Sequence, residues 1–381
     1  MKICCISTSQ VPSVTANSMQ LMKACQALAQ IGHEVELVVP SGGQPVVWEE
    51  MMSFYGLTTA FPVTWLKADP LFKRYDFCKN AVAYARRQKV DLIYTWALQS
   101  AIFALWYGTP VMLELHDMPS GKAGPLLFRL FLRARGPKRL LCITQALQQK
   151  LEKEYQVTFT PKQAAVTPNA VELERYQNLP DAPAARLELG LPEKLTAVYT
   201  GHFYAGRGLD ILYHLAASFP QVNFIWAGGR ASELEQVRQA LAEKKLENVV
   251  LTGFIENRKL PLYQAAGDIL LMPYETSIAG SSGGNSAEIC SPMKMFEYLA
   301  AGRAILTSDL PVIREVLNEN NARFLPPEDP DAWRDGFEEL MNHPEIRLSL
   351  SAQAKADAVS YTWTARAEKA LAGFNVGGKT R

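Results

Sequence analysis

At 381 residues and a net charge of +1, the chain is long enough for two ordinary domains and too evenly charged to argue for a nucleic-acid partner. The six cysteines (Cys4, Cys5, Cys25, Cys78, Cys142, Cys290) follow no metal-ligand spacing and fit a reducing, cytoplasmic compartment better than a disulfide scaffold. No window holds the ~18 uninterrupted apolar residues of a membrane-spanning helix, and Met1–Ile6 is too short for a signal-peptide core.

The first half reads as alternating strands and helices. Lys2–Ser7 is an apolar strand, and Leu21, Met22, Cys25, Leu28 and Ala29 recur at helical spacing after a cap at Asn17 or Ser18. His33–Val39 is a second strand, so the opening is a βαβ unit and the sheet is parallel. Residues 41 to 90 carry weaker signals, apart from a basic helix over Lys73–Lys89. Strands follow at Asp91–Tyr94 and Val111–Leu115, with an apolar helix between them. The second strand runs out into His116-Asp117. The C-terminal end of a parallel strand is where such sheets place ligands, although a structural imidazole fits the same position. Pro125–Arg139 reads as an amphipathic helix with Arg129, Arg133, Arg135, Lys138 and Arg139 supplying charge. That pattern suits packing on the sheet and also contact with anionic lipid. Leu140–Thr144 is a strand, Gln145–Tyr155 a helix, and Ala164–Val171 a strand with its exit turn. The Pro-, Ala- and Asp-rich stretch Asn178–Pro192 reads as the linker. The expected division is therefore 1–185, then 186–355, with 356–381 as a terminal helix returning to the first domain and a disordered tail.

The second half opens with a strand, Thr196–Thr200, and a loop, Gly201-His202-Phe203-Tyr204-Ala205-Gly206-Arg207-Gly208, before a helix from Leu209. Arg207 places a planar cation in that loop, a shape that suits phosphate. Further strands are expected at Val222–Ala227, Val249–Gly253 and Asp268–Tyr274. The glycine-rich segment Ser281–Ser286 then leads to Ser291-Pro292-Met293-Lys294-Met295-Phe296-Glu297-Tyr298-Leu299-Ala300-Ala301-Gly302. This reads as a complete helix with Ser291 as N-cap, Pro292 at the first position and Gly302 as the left-handed stop. Lys294 sits in the first turn, where the macrodipole disfavours a cation. An anion held between Lys294 and the free amides would remove that conflict.

The helix at 291–302, followed by Arg303–Ser308, resembles the nucleotide-sugar signature of glycosyltransferase family 4. Gly201 to Gly208 resembles that family's diphosphate loop, Glu-Leu-His-Asp at 114–117 its active-site histidine, and Tyr361-Thr362-Trp363 the lead-in to its terminal helix. The resemblance implies a GT-B fold: two doubly wound α/β domains facing each other across a cleft. It implies that Glu297 binds the donor ribose, and that the loop and helix start at Ser291, Pro292 and Met293 contact the diphosphate and sugar. Gly201, His202, Arg207 and Lys294 would complete the diphosphate clamp. Phe254 and Ile255 would line the base pocket, and His116, supported by Asp117, would contact the donor sugar or acceptor. The family pattern has a second glutamate eight residues before the first. That place holds Ile289, and Glu288 is adjacent.

The reaction this implies is hexosyl transfer, with retention and without metal, from a nucleotide diphosphate sugar to a glycan, lipid-linked or small-molecule acceptor. A UDP-sugar is the expected co-substrate, and no other cofactor is expected. Peripheral contact with an anionic membrane through 125–139, at the inner face, accompanies it. The alternatives are a sugar-nucleotide 2-epimerase of the same fold and a non-catalytic sugar-nucleotide-binding protein. A nicotinamide-dependent dehydrogenase fits less well, because the first βα turn lacks GxGxxG.

Overall fold

The computed structural model describes residues 1–41, 47–72, 74–278 and 285–375. The glycine-rich segment at 281–284 and the tail from 376 lie outside them. The chain divides into two compact units, Met1–Pro168 with Trp363–Arg381, and Asn169–Thr362.

The first unit contains β1 (Lys2–Ile6), α1 (Ala16–Gln30), β2 (Glu34–Pro40), α2 (Trp48–Tyr55), β3 (Val63–Leu66), α3 (Tyr75–Arg87), β4 (Leu92–Thr95), α4 (Leu98–Trp106), β5 (Val111–Leu115), α5 (Gly124–Arg133), β6 (Lys138–Cys142), α6 (Gln145–Tyr155) and β7 (Ala164–Val166). The seven strands form one sheet in the order β3-β2-β1-β4-β5-β6-β7, parallel throughout. β4 and β5 are buried along their whole length, as a parallel sheet covered on both faces requires.

The second unit contains α7 (Ala182–Glu188), β8 (Thr196–Thr200), α8 (Leu209–Ser218), β9 (Asn223–Ala227), α9 (Ala231–Glu243), β10 (Val249–Gly253), α10 (Leu260–Ala265), β11 (Ile269–Met272), α11 (Met293–Ala301), β12 (Ala304–Ser308), α12 (Pro311–Arg314), β13 (Arg323–Leu325), α13 (Pro330–Asn342) and α14 (Pro344–Ala358). Its six strands run β10-β9-β8-β11-β12-β13, again parallel. Phe219, Phe224, Trp226, Trp333 and Phe337 fill the core on one face. The last helix, α15 (Trp363–Leu371), belongs to the first unit and lies against α1.

Both boundaries differ from those read in the sequence. The first falls at 168/169, not 185/186, because the intervening residues are bonded to the second unit. The Asn169 amide donates to Ser291 Oγ (3.0 Å), the Tyr176 hydroxyl to Gln264 (2.8 Å) and Arg186 to Asp268 (2.9 Å). Part of the expected linker is helix α7, capped by Asp181. The second boundary falls at 362/363, not 355/356, because α14 runs unbroken through that point and packs on α11. Two further corrections concern local signals. The cap of α1 is Thr15, which accepts from Ser18 N–H, while Ser18 itself is buried against the Tyr55 hydroxyl (2.6 Å). The basic helix ends at Arg133. Lys138 begins β6, and its ammonium turns back to the α5 carbonyls of Phe131 (2.6 Å) and Leu132 (2.7 Å). Arg139 is buried, bonded to the carbonyls of Ala370 and Pro161.

Candidate active site

In the second unit the strand order reverses between β8 and β11, so the carboxyl ends of those two strands define the position where a doubly wound sheet binds its ligand. Three elements converge there. The loop after β8 carries Gly201 to Gly208, the loop after β11 carries Tyr274, and α11 points its N-terminus at both. Tyr298 holds α11 in place: its hydroxyl accepts from the Thr200 amide at the end of β8 (2.9 Å) and donates to the Leu271 carbonyl in β11 (3.2 Å).

Ser291 is not the cap of this helix. The helix begins at Met293 with Pro292 at the N-cap, and no side chain caps its amides. The Ser291 hydroxyl instead accepts from Asn169 N–H (3.0 Å), and its carbonyl accepts from the Asn169 amide side chain (2.6 Å). Ser291 therefore ties down the approach to the helix and leaves the helix start at Pro292 and Met293 open. Gly302 closes the helix in the left-handed conformation, as the sequence indicates.

Lys294 and Arg207 come together around one aromatic ring. The Lys294 ammonium lies 4.0 Å from the Tyr199 ring centre and 5.3 Å from that of Tyr274. The Arg207 guanidinium lies 4.8 Å from the Tyr274 ring centre and 4.6 Å from that of Tyr204, whose hydroxyl it also meets. Among the described residues neither cation has a carboxylate in ion-pair contact. Burial, followed by the charge of Arg207, pushes the Lys294 ammonium well below its ordinary value, with Glu297 opposing. Two cations at an uncapped helix N-terminus suit an anion.

The glycines make this approach sterically feasible. Gly201 has φ of +142°, and a Cβ there would lie 2.8 Å from the Lys294 ammonium. Gly208 has φ of +70°, and its Cβ would lie 1.8 Å from the Pro273 carbonyl oxygen. The amides of Gly206 and Gly208 are occupied by the Glu275 carboxylate (3.1 and 3.0 Å). The loop therefore offers its arginine side chain to a ligand, and those two amides are already taken. His202 follows the first glycine of this loop. It faces Glu233 at 3.4 Å, yet burial outweighs that carboxylate and lowers its affinity for a proton, so it enters the site as a neutral ring.

Glu297 lies one turn beyond Lys294 on α11, with one carboxylate oxygen accepting from the buried Gln264 amide (3.3 Å). Phe254 and Ile255 follow β10, with Phe254 53% exposed. Glu288 is exposed on a 3-10 turn, and Ile289, at the position of the expected first glutamate, is buried. No cluster of His, Cys, Asp or Glu with metal-holding geometry occurs among the described residues. An Asp-x-Asp triplet that sequence reasoning overlooked, Asp329-Pro330-Asp331, has other work. Asp329 caps α13 and Asp331 pairs with Arg334 at 2.9 Å.

In the first unit, His116 follows β5. Its supporter is Glu114 and not Asp117. His116 Nε2 lies 2.7 Å from Glu114 Oε1, whereas Asp117 accepts from the Met118 amide in its own turn (2.7 Å). Glu114 is completely buried and also receives Gln20 Nε2 (2.7 Å), the Tyr94 hydroxyl and Arg366 (2.6 Å). Burial alone would raise its proton affinity, but Arg366 holds the carboxyl well below the usual range. A charged residue inside the apolar run Val-Met-Leu-Glu-Leu was the sequence signal for this group. Nothing in the sequence pointed to Arg366 or to the tyrosines at 199 and 274.

Comparison with known proteins bears on the family and the fold. Residues 194–343 match the profile described as Glycosyl transferases group 1, and residues 19–175 that described as Glycosyltransferase Family 4. The alpha-galactosylglucosyldiacylglycerol synthase of Streptococcus pneumoniae is 24% identical over 195 residues, 49% of this chain and 48% of that one. The chain thus spans about half the length of that relative. The phosphatidyl-myo-inositol mannosyltransferase of Mycolicibacterium smegmatis is 23% identical over 364 residues, 90% of this chain and 86% of that one. Among solved structures, Anabaena HepE in complex with UDP-glucose superposes with a TM-score of 0.73 at 16% identity, covering 97% of this chain and 98% of that one.

Proposed function

The chain belongs to glycosyltransferase family 4 and has the GT-B fold, and from that premise we propose that it transfers a sugar from a nucleotide diphosphate donor to a lipid-linked or glycan acceptor. The observation that carries this reading is the pair Lys294 and Arg207, set around Tyr274 at the open start of α11 with no carboxylate in ion-pair contact among the described residues. Transfer breaks the bond between the anomeric carbon and the diphosphate oxygen and forms a bond from that carbon to the acceptor oxygen. Negative charge develops on the leaving diphosphate, where fixed cations and amides lower the barrier without reorganising. In this reading the diphosphate lies between Lys294, Arg207 and the amides at Met293, and the ribose diol on Glu297. The leaving phosphate accepts the acceptor's proton, and the new bond forms on the face the donor left. The cations themselves neutralise the leaving group, so the scheme uses no metal.

A UDP-sugar is the favoured donor, in line with the UDP-glucose in the Anabaena structure. A lipid-linked acceptor accords with the glycolipid names of the two relatives. It also accords with α5, where Leu126 and Leu130 are exposed beside Arg129 and Arg133, a pattern suited to an anionic membrane surface. No helix among the described residues is long and apolar enough to cross a membrane. The six cysteines are free, which suits the cytoplasmic face. The family assignment does not favour the epimerase or the non-catalytic reading. A thermal-shift screen of UDP, GDP and ADP and their sugars, followed by product analysis with and without acceptor, tests the proposal. Stabilisation by one nucleotide and sugar transfer to an added lipid or glycan are expected. Epimerised donor in the absence of acceptor, or no response to any nucleotide, would overturn it. Failure to sediment with anionic vesicles at low salt would remove the membrane contact alone.

A further inference from the structure

We propose that Glu114 and Arg366 are positioning residues that fix the His116 imidazole with Nδ1 as the ring nitrogen offered to substrate, so that the terminal helix α15 serves the active site as well as closing the chain. The catalytic part of this inference rests on the reading of His116 given above; the structural part does not. Glu114 lies in the interior of β5, and Arg366 reaches it from α15 with only 4% of its side chain exposed. Arg366 also donates Nε to the Pro168 carbonyl (2.8 Å) and NH1 to the Tyr94 hydroxyl (3.3 Å), so its fork is held on three sides. A guanidinium keeps its proton throughout the working pH range, and a carboxylate paired with it is ionised and can only accept hydrogen bonds.

The 2.7 Å contact between Glu114 Oε1 and His116 Nε2 therefore requires the proton on Nε2. Gln20 donates to the same carboxylate oxygen and the Tyr94 hydroxyl to the other, which prevents the carboxylate from turning away. Nδ1 is left as the variable nitrogen of a ring whose side chain is 23% exposed. As a neutral ring it accepts from a hydroxyl, and once protonated it donates to an oxygen. A purely structural ion pair would anchor α15 equally well but would place no demand on the tautomer.

The test is the imidazole ¹⁵N spectrum of the full-length protein at alkaline pH, with the His116 signals assigned by loss in His116→Gln. The expected wild-type signature is the Nε2–H tautomer. Glu114→Leu/Arg366→Met removes both charges together, so no unpaired ion is left inside. It should convert His116 to a tautomer mixture and lower kcat by about 100-fold, the scale of misplacing a group that positions substrate, with the donor KM little changed. Arg366→Lys, which keeps the charge, should restore the Nε2–H signature. An Nδ1–H wild-type ring, or the wild-type signature in the double variant, would overturn the inference. Should the double variant not fold, the wild-type tautomer and that of Arg366→Lys still decide it. If no nucleotide sugar supports transfer by the wild-type protein, the functional reading fails, while the spectra test the positioning by themselves.

Discussion

Lys294→Met separates a binding cation from a structural one. Methionine keeps the unbranched stem that packs beneath Gly201 and Tyr199 and removes only the ammonium. Two effects on stability then oppose each other. The contact with the Tyr199 ring at 4.0 Å is lost, at about 0.5–2 kcal/mol for a cation over an aromatic face. The repulsion from Arg207 and the desolvation of the ammonium, which together push Lys294 toward its neutral form, are lost as well. Because these effects oppose each other, the melting temperature should move by no more than about 4 °C at the 2–4 °C per kcal/mol of a unit this large. Turnover should respond on another scale. Removing one preorganised donor from a developing oxyanion costs about 2.7–4 kcal/mol, or 10²–10³-fold in kcat. The assay is nucleotide release with a donor the wild-type protein uses, alongside a thermal melt of the same sample. Turnover within about threefold of wild type, or a melt lowered by more than about 8 °C, would refute the reasoning, because Lys294 would then be a packing residue.

Glu297→Gln should weaken UDP binding by about 10–100-fold, the loss of a charge-assisted hydrogen bond of roughly 1.5–3 kcal/mol. Calorimetry with 2′,3′-dideoxy-UDP should show the variant and wild type binding equally; a remaining gap would place Glu297 away from the ribose. Gly208→Ala should destabilise by more than about 3 kcal/mol, because the new Cβ meets the Pro273 carbonyl oxygen at 1.8 Å in a backbone with φ of +70°; a melt within 3 °C of wild type would contradict it. Lys294 also predicts a pH dependence. Its folded-state value lies below its unfolded one, so between that value and about 10.4 the unfolded chain holds the extra proton, and the unliganded protein gains stability as pH rises through the interval. A bound diphosphate reverses the shift, so UDP binding within that interval should take up protons, seen as a buffer-dependent heat that Lys294→Met abolishes.

Periodicity served well where a segment is buried on one plan throughout. Both parallel sheets, the helix from 293 to 301 and its Gly302 stop follow from apolar spacing and glycine punctuation. It failed where tertiary contacts chose the local structure. α2 and β3 were not recovered because Met51 and Tyr55 of α2 are the residues it buries, too few to set a period, and every residue of β3 is only partly buried. Ser291 is a favourable N-cap by type, but a competing donor, the Asn169 N–H from 122 positions earlier, claims its hydroxyl. Local propensity cannot see that competition. The same holds at His116. Asp117 is adjacent in sequence, but consecutive residues diverge at a strand end, so the carboxylate that reaches the ring is the one two positions back on the same face of β5.

The cationic site also bears on what kind of ligand it selects. A cation pair that has no carboxylate in ion-pair contact among the described residues lowers the stability of the free second unit, since like charges near one another in a partly buried setting repel, and the field of Glu297 opposes this for Lys294 without outweighing it. The compensation arrives with the anion, so nucleotide-induced stabilisation should depend chiefly on the number of phosphates and only secondarily on the base. Phe254 is half-exposed and Ile255 contributes an aliphatic side chain, surfaces that offer a base stacking but little hydrogen-bond discrimination by side chains. Discrimination among bases then falls to the backbone groups that follow Gly253. Uridine should therefore stabilise the protein far less than UDP, and UMP should fall between them. If uridine matched UDP, the cation pair would have no part in holding the donor.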